Sequence, residues 1–373
     1  MRGAHGRPGS RATTGRAATN RRRRLPAAVA ATVAGECEVL PGLEPFVVGE
    51  LERVLGGRAR VDSGAERGAV RFAYSGSLGA LLRLRTPVAA YLVARFQGRR
   101  PSALLGDERL FAQVETVRGL HPAGAFGSFR LSVPGRESSA VRRLVEELCR
   151  RTGLDYDPED GELLLRIRRA ADGWELLTRL SPRPLATRAW RVHHLPGAVN
   201  ATIAAAMVEL TRPRPGDRVL NPLCGSGTLL VERLARGPAA GALGCDLDPD
   251  ALMGARTNLA AAGLDGRAAL ARMDAVRLGL HDGGVDVLLA DLPYGHRMGS
   301  HEDNATLYPA VLREAARVAA PGARLVVITH ELRLFEHCLA GARPWWRPER
   351  STQVFQKGHH PVIHVLRRER AAG

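Results

Sequence analysis

The sequence lacks any long apolar run. Candidate segments such as residues 325–328 have only the length of a β-strand, whereas a membrane-spanning helix needs about 18–20 apolar residues. A chain of 373 residues with 45 % apolar content can still bury the cores of two or three domains. We therefore expect a soluble, cytoplasmic protein that does not enter a membrane.

Cysteine is also scarce, and none of it forms a C-x-x-C pair. This pattern argues against a zinc or dithiol redox site, predicts no metal, and is typical of a reducing compartment. Cys224 and Cys245 fall within suspected ligand loops, where we interpret them as small side chains rather than reactive thiols. The five cysteines are Cys37, Cys149, Cys224, Cys245 and Cys338.

Lysine is nearly absent, because arginine supplies all of the 54 basic residues except Lys357. The first 35 residues contain eight arginines and no acid, so they carry half of the net charge of +16 and leave +8 on the remainder. A basic body favours an anionic partner, and nucleic acid is the commonest one.

Composition divides the chain into four parts. Residues 1–34 have no apolar periodicity, which predicts a disordered arginine-rich tail; a transit peptide, an overextended start and an electrostatic tether all remain possible interpretations of it. Residues 35–100 and 101–182 have the patterns of small α+β units, with part of 101–125 as a connector. After the proline-rich linker at 181–184, residues 183–373 alternate strands with helices, which predicts a doubly wound α/β domain.

A glycine-rich loop at residues 221–228 follows a short apolar strand and opens a helix. Glycines at such a turn let the backbone approach a ligand closely. The dinucleotide pattern G-x-G-x-x-G fails because Leu230 occupies its third glycine position, and a P-loop fails because its lysine is missing. The loop therefore favours a cofactor that is not held through phosphates.

Two carboxylates follow the loop at positions suited to an adenosine-containing cofactor. Asp246 ends the next strand, 19 positions after Gly227, where it can accept hydrogen bonds from both ribose hydroxyls. Asp274, followed by Ala275, comes at the predicted end of the third strand and could reach an adenine amino group.

The turn Asp291-Leu292-Pro293-Tyr294-Gly295 follows the apolar strand at residues 285–290. It combines a carboxylate, a backbone bent by proline and an aromatic face, which together can grip a flat base that carries an amino group. Taken alone, the turn does not distinguish DNA from RNA or adenine from guanine.

Together these motifs resemble those of the THUMP-domain RNA methyltransferases, which methylate the exocyclic amino group of guanosine with S-adenosylmethionine. Pro222 with residues 224–228 matches the first motif of the family, in which Asn221 replaces the usual aspartate, and Asp-Leu-Pro-Tyr is similar to its Asp/Asn-Pro-Pro-Tyr/Phe motif. Residues 194–207 resemble the helix that closes the front of the cofactor pocket, and residues 41–44 and 128–130 resemble parts of the entry domains. The resemblance implies a Rossmann-like class I S-adenosylmethionine-dependent methyltransferase domain, preceded by α+β ferredoxin-like and THUMP domains.

The resemblance also implies roles for residues. Asp291 and the carbonyl of Leu292 would accept the two amino hydrogens of guanine, Pro293 would shape the turn, Tyr294 would stack on the flipped base, and Arg297 would hold a flanking phosphate of the RNA. The predicted cofactor-binding residues are Thr202, Asn221, Cys224, Gly225, Ser226, Gly227, Thr228, Asp246, Leu247, Asp274, Ala275 and Asp291.

A monomeric tRNA guanosine-N2 methyltransferase is the leading hypothesis, because one catalytic domain of this length behind a THUMP unit is more similar to the tRNA enzymes than to the longer ribosomal ones. Three alternatives remain open at this point: an rRNA guanosine-N2 methyltransferase, a DNA adenine-N6 methyltransferase, and an RNA-binding protein with a degenerate methyltransferase domain.

Overall fold

A computed structural model describes residues 32–62, 66–98, 104, 106–294, 301–356 and 358–369. These residues form two sheets, each with its own helices. Most of the predicted tail lies outside the described residues, and the first strand already begins at Val33, two positions before the predicted domain boundary. No helix in the described ranges is both long enough and apolar enough to cross a bilayer.

The first unit contains one eight-stranded sheet in the order β2-β3-β1-β4-β8-β7-β5-β6. Strand β4 pairs with β8 in antiparallel fashion, so residues 35–100 and 101–182 contribute to a single continuous sheet. The strands are β1 (Val33–Glu38), β2 (Ala59–Val61), β3 (Ala69–Tyr74), β4 (Ala89–Gln97), β5 (Ser128–Ser132), β6 (Asp155–Tyr156), β7 (Leu163–Ala170) and β8 (Gly173–Arg179).

Three helices pack on one face of this sheet, α1 (Glu44–Leu55), α2 (Glu108–Arg118) and α3 (Ser139–Thr152). Strand residues of alternating position, such as Phe72 in β3, point into the same core, as the two-residue period of a strand requires. Helix α3 begins where the hydroxyl of Ser138 accepts the amide of Val141, and it ends at Gly153 in the left-handed conformation.

The opposite face of the first sheet carries charged side chains. Glu36 and Glu175 are 3 % and 2 % exposed, which is tolerable only because both are paired with arginines. Arg168 donates to both carboxylates, Arg71 also bridges them, and Arg95 adds a bond to Glu175. Much of the arginine charge on this face is therefore neutralised within the fold.

The second unit is a seven-stranded sheet in the order β11-β10-β9-β12-β13-β15-β14. Strands β9 to β13 are parallel, which confirms the predicted doubly wound sheet, and β14 and β15 form an antiparallel hairpin at its edge. The elements are α4 (Ala201–Leu210), β9 (Arg218–Asn221), α5 (Thr228–Arg236), β10 (Gly241–Asp246), α6 (Pro249–Ala261), β11 (Ala269–Arg272), β12 (Val285–Asp291), α7 (His301–Val318), β13 (Ala319–Thr329), α8 (Leu332–Gly341), β14 (Trp346–Gln353) and β15 (Val362–Arg368).

A buried glutamate joins the two units. Glu232 of α5 accepts hydrogen bonds from Arg85 of the first unit at 2.7 Å and from Arg188, which follows the linker, at 2.8 Å. Closer to the surface, Glu209 at the end of α4 bridges Arg53 of α1 and Arg236. These contacts fix the orientation of the first unit relative to the second.

Candidate active site

A cavity opens at the carboxyl edge of the parallel strands, where doubly wound folds bind their ligands. Three segments line it: residues 195–199 before α4, the glycine loop after β9, and the turn at the end of β12. Asp246, at the end of β10, lines it as well. The cavity thus brings together the predicted residues Cys224, Gly225, Ser226, Thr228, Asp246, Asp291, Leu292, Pro293 and Tyr294.

The glycine loop has the backbone conformation that the sequence predicts. Gly225 and Gly227 have φ values of 50° and 81°, a region that other residues adopt only with strain. A side chain at Gly227 would also lie 3.1 Å from the Cβ atom of Ala255 in α6. The hydroxyl of Ser226 is buried and has no hydrogen-bond partner among the described residues, so it is available to a ligand.

Asp246 holds the loop in place. One of its carboxylate oxygens accepts the amide of Gly225 at 2.8 Å, and the other accepts the amide of Asp248 at 3.1 Å. A carboxylate oxygen has more than one acceptor position, so both can still receive hydroxyl groups. The neighbouring thiol of Cys224 is buried, and burial raises its pKa well above the usual range, so it stays protonated and unreactive.

Asn221 lies outside the cavity, in contrast to the predicted contact with the cofactor. It is 1 % exposed, and two backbone carbonyl oxygens lie near its terminal amide, those of Leu223 at 3.1 Å and Leu289 at 3.0 Å. This environment assigns the amide nitrogen as a donor to both carbonyls. The side chain therefore joins the loop to β12, which an aspartate with no N–H group could not do in the same way.

Five other predicted cofactor residues also lie off the cavity lining, namely Gly227, Thr202, Leu247, Asp274 and Ala275. The hydroxyl of Thr202 is buried and donates to Asn200, which caps α4; the helix therefore begins at Ala201 and leaves residues 195–199 as the loop that faces the cavity. Asp274 accepts the amide of Val276 within its own turn. Leu247 is exposed, Ala275 is buried in the core, and Arg297 lies outside the described residues.

The turn at the end of β12 is fixed by two hydrogen bonds. The amide of Leu292 donates to the carbonyl of Ile328 at 3.0 Å, and the hydroxyl of Tyr308 in α7 donates to the carbonyl of Pro293 at 2.6 Å. The carbonyl of Leu292 has no recorded partner within the described residues, so it remains available to accept a hydrogen bond from a substrate.

Asp291 occupies a weakly solvated position beside this carbonyl. Burial raises the pKa of Asp291 to about 7, and a hydrogen bond from the backbone amide of Val199 opposes that rise. A carboxyl group that titrates near neutrality can accept a proton during a reaction and release it afterwards.

A second cavity adjoins the first, and the two share Asp291 and Tyr294. The ring of His330 packs against Tyr294 with a centroid distance of 4.0 Å and an angle of 31° between the planes. Burial and the neighbouring His359 lower the pKa of His330, so its ring is neutral near pH 7. Polar groups of Arg191, Asn200, Gln356 and His359 complete the lining.

Asn258 of α6 is a structural support that the sequence did not reveal. Its side chain is fully buried; it accepts the amides of Val192 and His193 and donates to the carbonyls of His193 and Ser226. One amide group thus holds the chain that leads to residues 195–199 against the glycine loop. Only a polar residue on the buried face of α6 could have indicated this role.

Comparison with known proteins places this geometry in a family. A family model described as UPF0020, an RMKL-like methyltransferase domain, matches residues 188–361. A tRNA (guanine(6)-N2)-methyltransferase of Thermus thermophilus is 32 % identical over 345 residues, which cover 89 % of this chain and 98 % of the relative. The chain belongs to this methyltransferase family.

Two further relatives match this chain, one over about half of its length and one over most of it. A Bos taurus tRNA (guanine(6)-N(2))-methyltransferase, THUMP3, is 31 % identical over 188 residues. The match covers 47 % of this chain but only 37 % of that relative, so the chain spans little more than a third of the length of that mammalian protein. The crystal structure of TrmN from Thermus thermophilus superposes with a TM-score of 0.70 at 28 % identity, and covers 90 % of this chain and 99 % of that one.

Membership in the methyltransferase family confirms the predicted class I fold of the second unit and identifies S-adenosylmethionine as its cofactor. The first cavity fits that molecule in three respects. Gly225 lines the cavity without a side chain, the buried hydroxyl of Ser226 has no hydrogen-bond partner among the described residues, and Asp246 presents its carboxylate at the end of β10. Residues 195–199 supply an apolar wall opposite the glycine loop.

Substitution of Tyr308 tests whether its hydrogen bond to Pro293 positions the turn at the end of β12. We expect Tyr308→Phe to lower the kcat of methylation by about 10- to 100-fold, because a small displacement of the reacting groups is costly. Burial raises the pKa of Tyr308 to about 12, so its hydroxyl remains a donor to Pro293 at any practical pH. Single-turnover methylation measures the effect.

The matched control is Tyr91→Phe, since Tyr91 is also buried and donates to Glu38 at 2.8 Å, but lies in the first sheet. Both changes should lower thermal stability to a similar small extent, and only Tyr308→Phe should reduce kcat. Equal rates for the two variants would show that the turn does not depend on Tyr308.

Proposed function

We propose that this chain methylates the exocyclic amino group of a guanosine in tRNA, using S-adenosylmethionine. The observation that carries the proposal is the meeting of two cavities at Asp291 and Tyr294, next to the carbonyl of Leu292, which accepts no hydrogen bond from the described residues. A methyl donor in the first cavity and a flat base in the second would meet at these three groups. The names of the relatives, tRNA (guanine-N2)-methyltransferases, support guanosine in tRNA as the substrate.

The residues of the turn orient and activate the amino group. When bound, S-adenosylmethionine would supply an electrophilic methyl group, and the breaking of its sulfur–methyl bond would leave S-adenosylhomocysteine, a neutral thioether. The exocyclic nitrogen of guanine is a poor nucleophile because its lone pair is delocalised into the ring. Asp291 and the carbonyl of Leu292 accept its two hydrogens, which turns the lone pair towards the first cavity. The nitrogen loses one proton as the new N–C bond forms, and Asp291 is placed to take it up and release it to water.

The second cavity is suited to holding the flipped base. His330 backs one side of Tyr294, so a base would stack against the remaining face, a contact that contributes about 1–3 kcal/mol. The side chain of Gln356 lines the cavity and has no recorded hydrogen bond within the described residues, so its amide can meet the polar edge of guanine.

The other parts of the proposal concern the whole protein. We assign residues 35–100 to a ferredoxin-like unit and residues 101–182 to a THUMP unit that together hold the RNA, and we propose a monomeric enzyme of the cytoplasm. The net charge of +8 beyond the first 35 residues favours an RNA partner. The complete set of groups in the turn argues against a degenerate domain that only binds RNA.

Nucleoside mass spectrometry of purified substrates tests the proposal. The purified protein would be incubated with labelled S-adenosylmethionine in three separate reactions, which contain unmodified tRNA, rRNA or DNA. We expect N2-methylguanosine in tRNA alone, and about a hundredfold less of it or lower from Asp291→Ala in the same reaction time. Methylguanosine in rRNA would identify rRNA as the substrate in place of tRNA. Methyladenine in DNA would overturn the proposal, and RNA binding without methylation of any substrate would indicate a protein that only binds RNA.

A further inference from the structure

Several arginines lie close together at the edge of the second sheet opposite the active site. Arg214, Arg324 and Arg367 line a surface cavity near the amino ends of β9 and β12, and the two acids Asp217 and Asp286 line it as well. Neither the sequence motifs nor the proposed methyl transfer involves these residues.

The sheet register places two of these charges side by side. Arg324 in β13 is directly opposite Arg367 in the antiparallel strand β15, and like charges in that relation repel each other. Arg324 is only 7 % exposed. Burial lowers the pKa of Arg324; the carboxylate of Asp217 opposes that change, and the nearby charges of Arg214, Arg367 and Arg212 add to it.

The acids nearby do not neutralise this cluster. Asp286 is engaged by Arg218 through two guanidinium bonds of 2.8 and 3.0 Å. Asp217 accepts the buried Arg233 at 3.1 Å and the backbone amide of Arg214 at 2.7 Å, with the same oxygen.

Arg324 therefore lacks a close acceptor. Its nearest acid contact is 3.9 Å, from its guanidinium to the other oxygen of Asp217, which is longer than a hydrogen bond. Its Nε atom is buried without a partner among the described residues. The guanidinium groups of Arg214 and Arg367 form no recorded ion pair within the described ranges either. A buried cation without acceptors is unfavourable, and a bound anion would supply them.

We propose that Arg214, Arg324 and Arg367 form a binding site for a phosphate group. Guanidinium forks match the oxygens of phosphate, and one dianion can accept hydrogen bonds from several of them while it cancels their mutual repulsion. Arg214 and Arg367 are accessible, so the phosphate can belong to a larger molecule.

A phosphate of the RNA backbone is the source that the location favours. Arg212 and Arg214 follow closely after Glu209, which pairs with Arg53 of the first unit, so the segment that carries Arg214 starts from a contact between the two units. An RNA held by the first unit can extend to this edge; this assignment of the source rests on the proposed function, whereas the site itself does not.

Inorganic phosphate tests the site independently of methylation. Thermal unfolding and calorimetric titration would compare sodium phosphate with sodium chloride at equal ionic strength, for the full chain and for Arg214→Gln/Arg367→Gln. We expect phosphate to raise the unfolding midpoint of the natural protein, and the dissociation constant for phosphate to increase at least tenfold in the double variant. The control is Arg347→Gln, an exposed arginine that is paired with Glu349 and Glu369 and should behave like the natural protein.

Stability without phosphate separates a binding site from a structural cluster. Removing mutually repelling charges should leave the unfolding midpoint of the double variant unchanged or higher in chloride alone. A lower midpoint in chloride, or an equal response to phosphate in all three proteins, would overturn the proposal and leave a solvated arginine cluster.

Binding of tRNA at several salt concentrations identifies the source of the phosphate. If the RNA backbone occupies the site, the double variant should bind more weakly and its log Kd against log salt should have a slope smaller by about one. Its affinity for S-adenosylmethionine should not change. Unchanged RNA binding with loss of phosphate binding would assign the site to free phosphate. The phosphate result holds even if the chain methylates no RNA, so the two proposals can fail separately.

Discussion

Asp291→Ala should lower the kcat of tRNA methylation by about 10²–10³-fold, the range found when one preorganised electrostatic contact is removed from an active site. The change removes the carboxylate that accepts a hydrogen of the amino group and takes up its proton. Binding of S-adenosylmethionine and of RNA should stay within a few-fold of the natural protein, because both cavities keep their other walls. Single-turnover assays and titrations measure the three quantities, and a kcat within a few-fold of the natural value would remove Asp291 from the mechanism.

The same residue predicts how the rate depends on pH. Because the pKa of Asp291 is raised to about 7, its reactive, deprotonated form is lost as the pH falls through neutrality. We expect log kcat/KM to rise with a slope of one below about pH 7 and to level off above it. Asp291→Asn keeps an acceptor oxygen but does not titrate, so its residual activity should show no such limb. If log kcat/KM of Asp291→Asn fell below pH 7 in the same way, a group other than Asp291 would cause the pH dependence.

Glu232→Gln should destabilise the protein by about 3–5 kcal/mol, the usual cost of breaking a buried ion pair. The natural carboxylate is inaccessible to solvent and accepts one guanidinium with each oxygen. A glutamine can accept only one of them and directs its own N–H groups at the other. Chemical denaturation followed by tryptophan fluorescence measures the change.

Glu209→Gln is the matched control, since Glu209 also bridges arginines from both units but has 23 % of its side chain exposed. A pair that is partly open to solvent contributes about 0–1 kcal/mol. Equal effects of the two substitutions would show that burial does not decide the strength of this interface.

Local chemistry made the active-site turn and the glycine loop predictable. Asp291, Tyr294, Gly225 and Gly227 are each the residue type that a strand end or tight turn needs, and they are close in sequence to the strands that carry them. The structure places all four at the predicted edge of the sheet.

Residues that act through distant contacts could not be found in this way. Tyr308 reaches Pro293 from the middle of α7, and Asn258 reaches Ser226 from α6, and neither has a local motif. For Asn221 the motif identified the loop correctly, but the direction of the side chain depends on the carbonyl of Leu289 in another strand. The pairing of β4 with β8, which joins the two N-terminal segments in one sheet, likewise depends on contacts between residues far apart in sequence.

That continuous sheet has a mechanical consequence. Strands β1 to β8 belong to one hydrogen-bonded sheet, so we expect them to move together, and Glu232 joins this sheet to the second unit through Arg85. If the first unit binds one end of an RNA, the distance from the bound end to Asp291 is constant. The nucleotide that is modified would then be selected by its distance from the bound end, with little need to read the sequence in between.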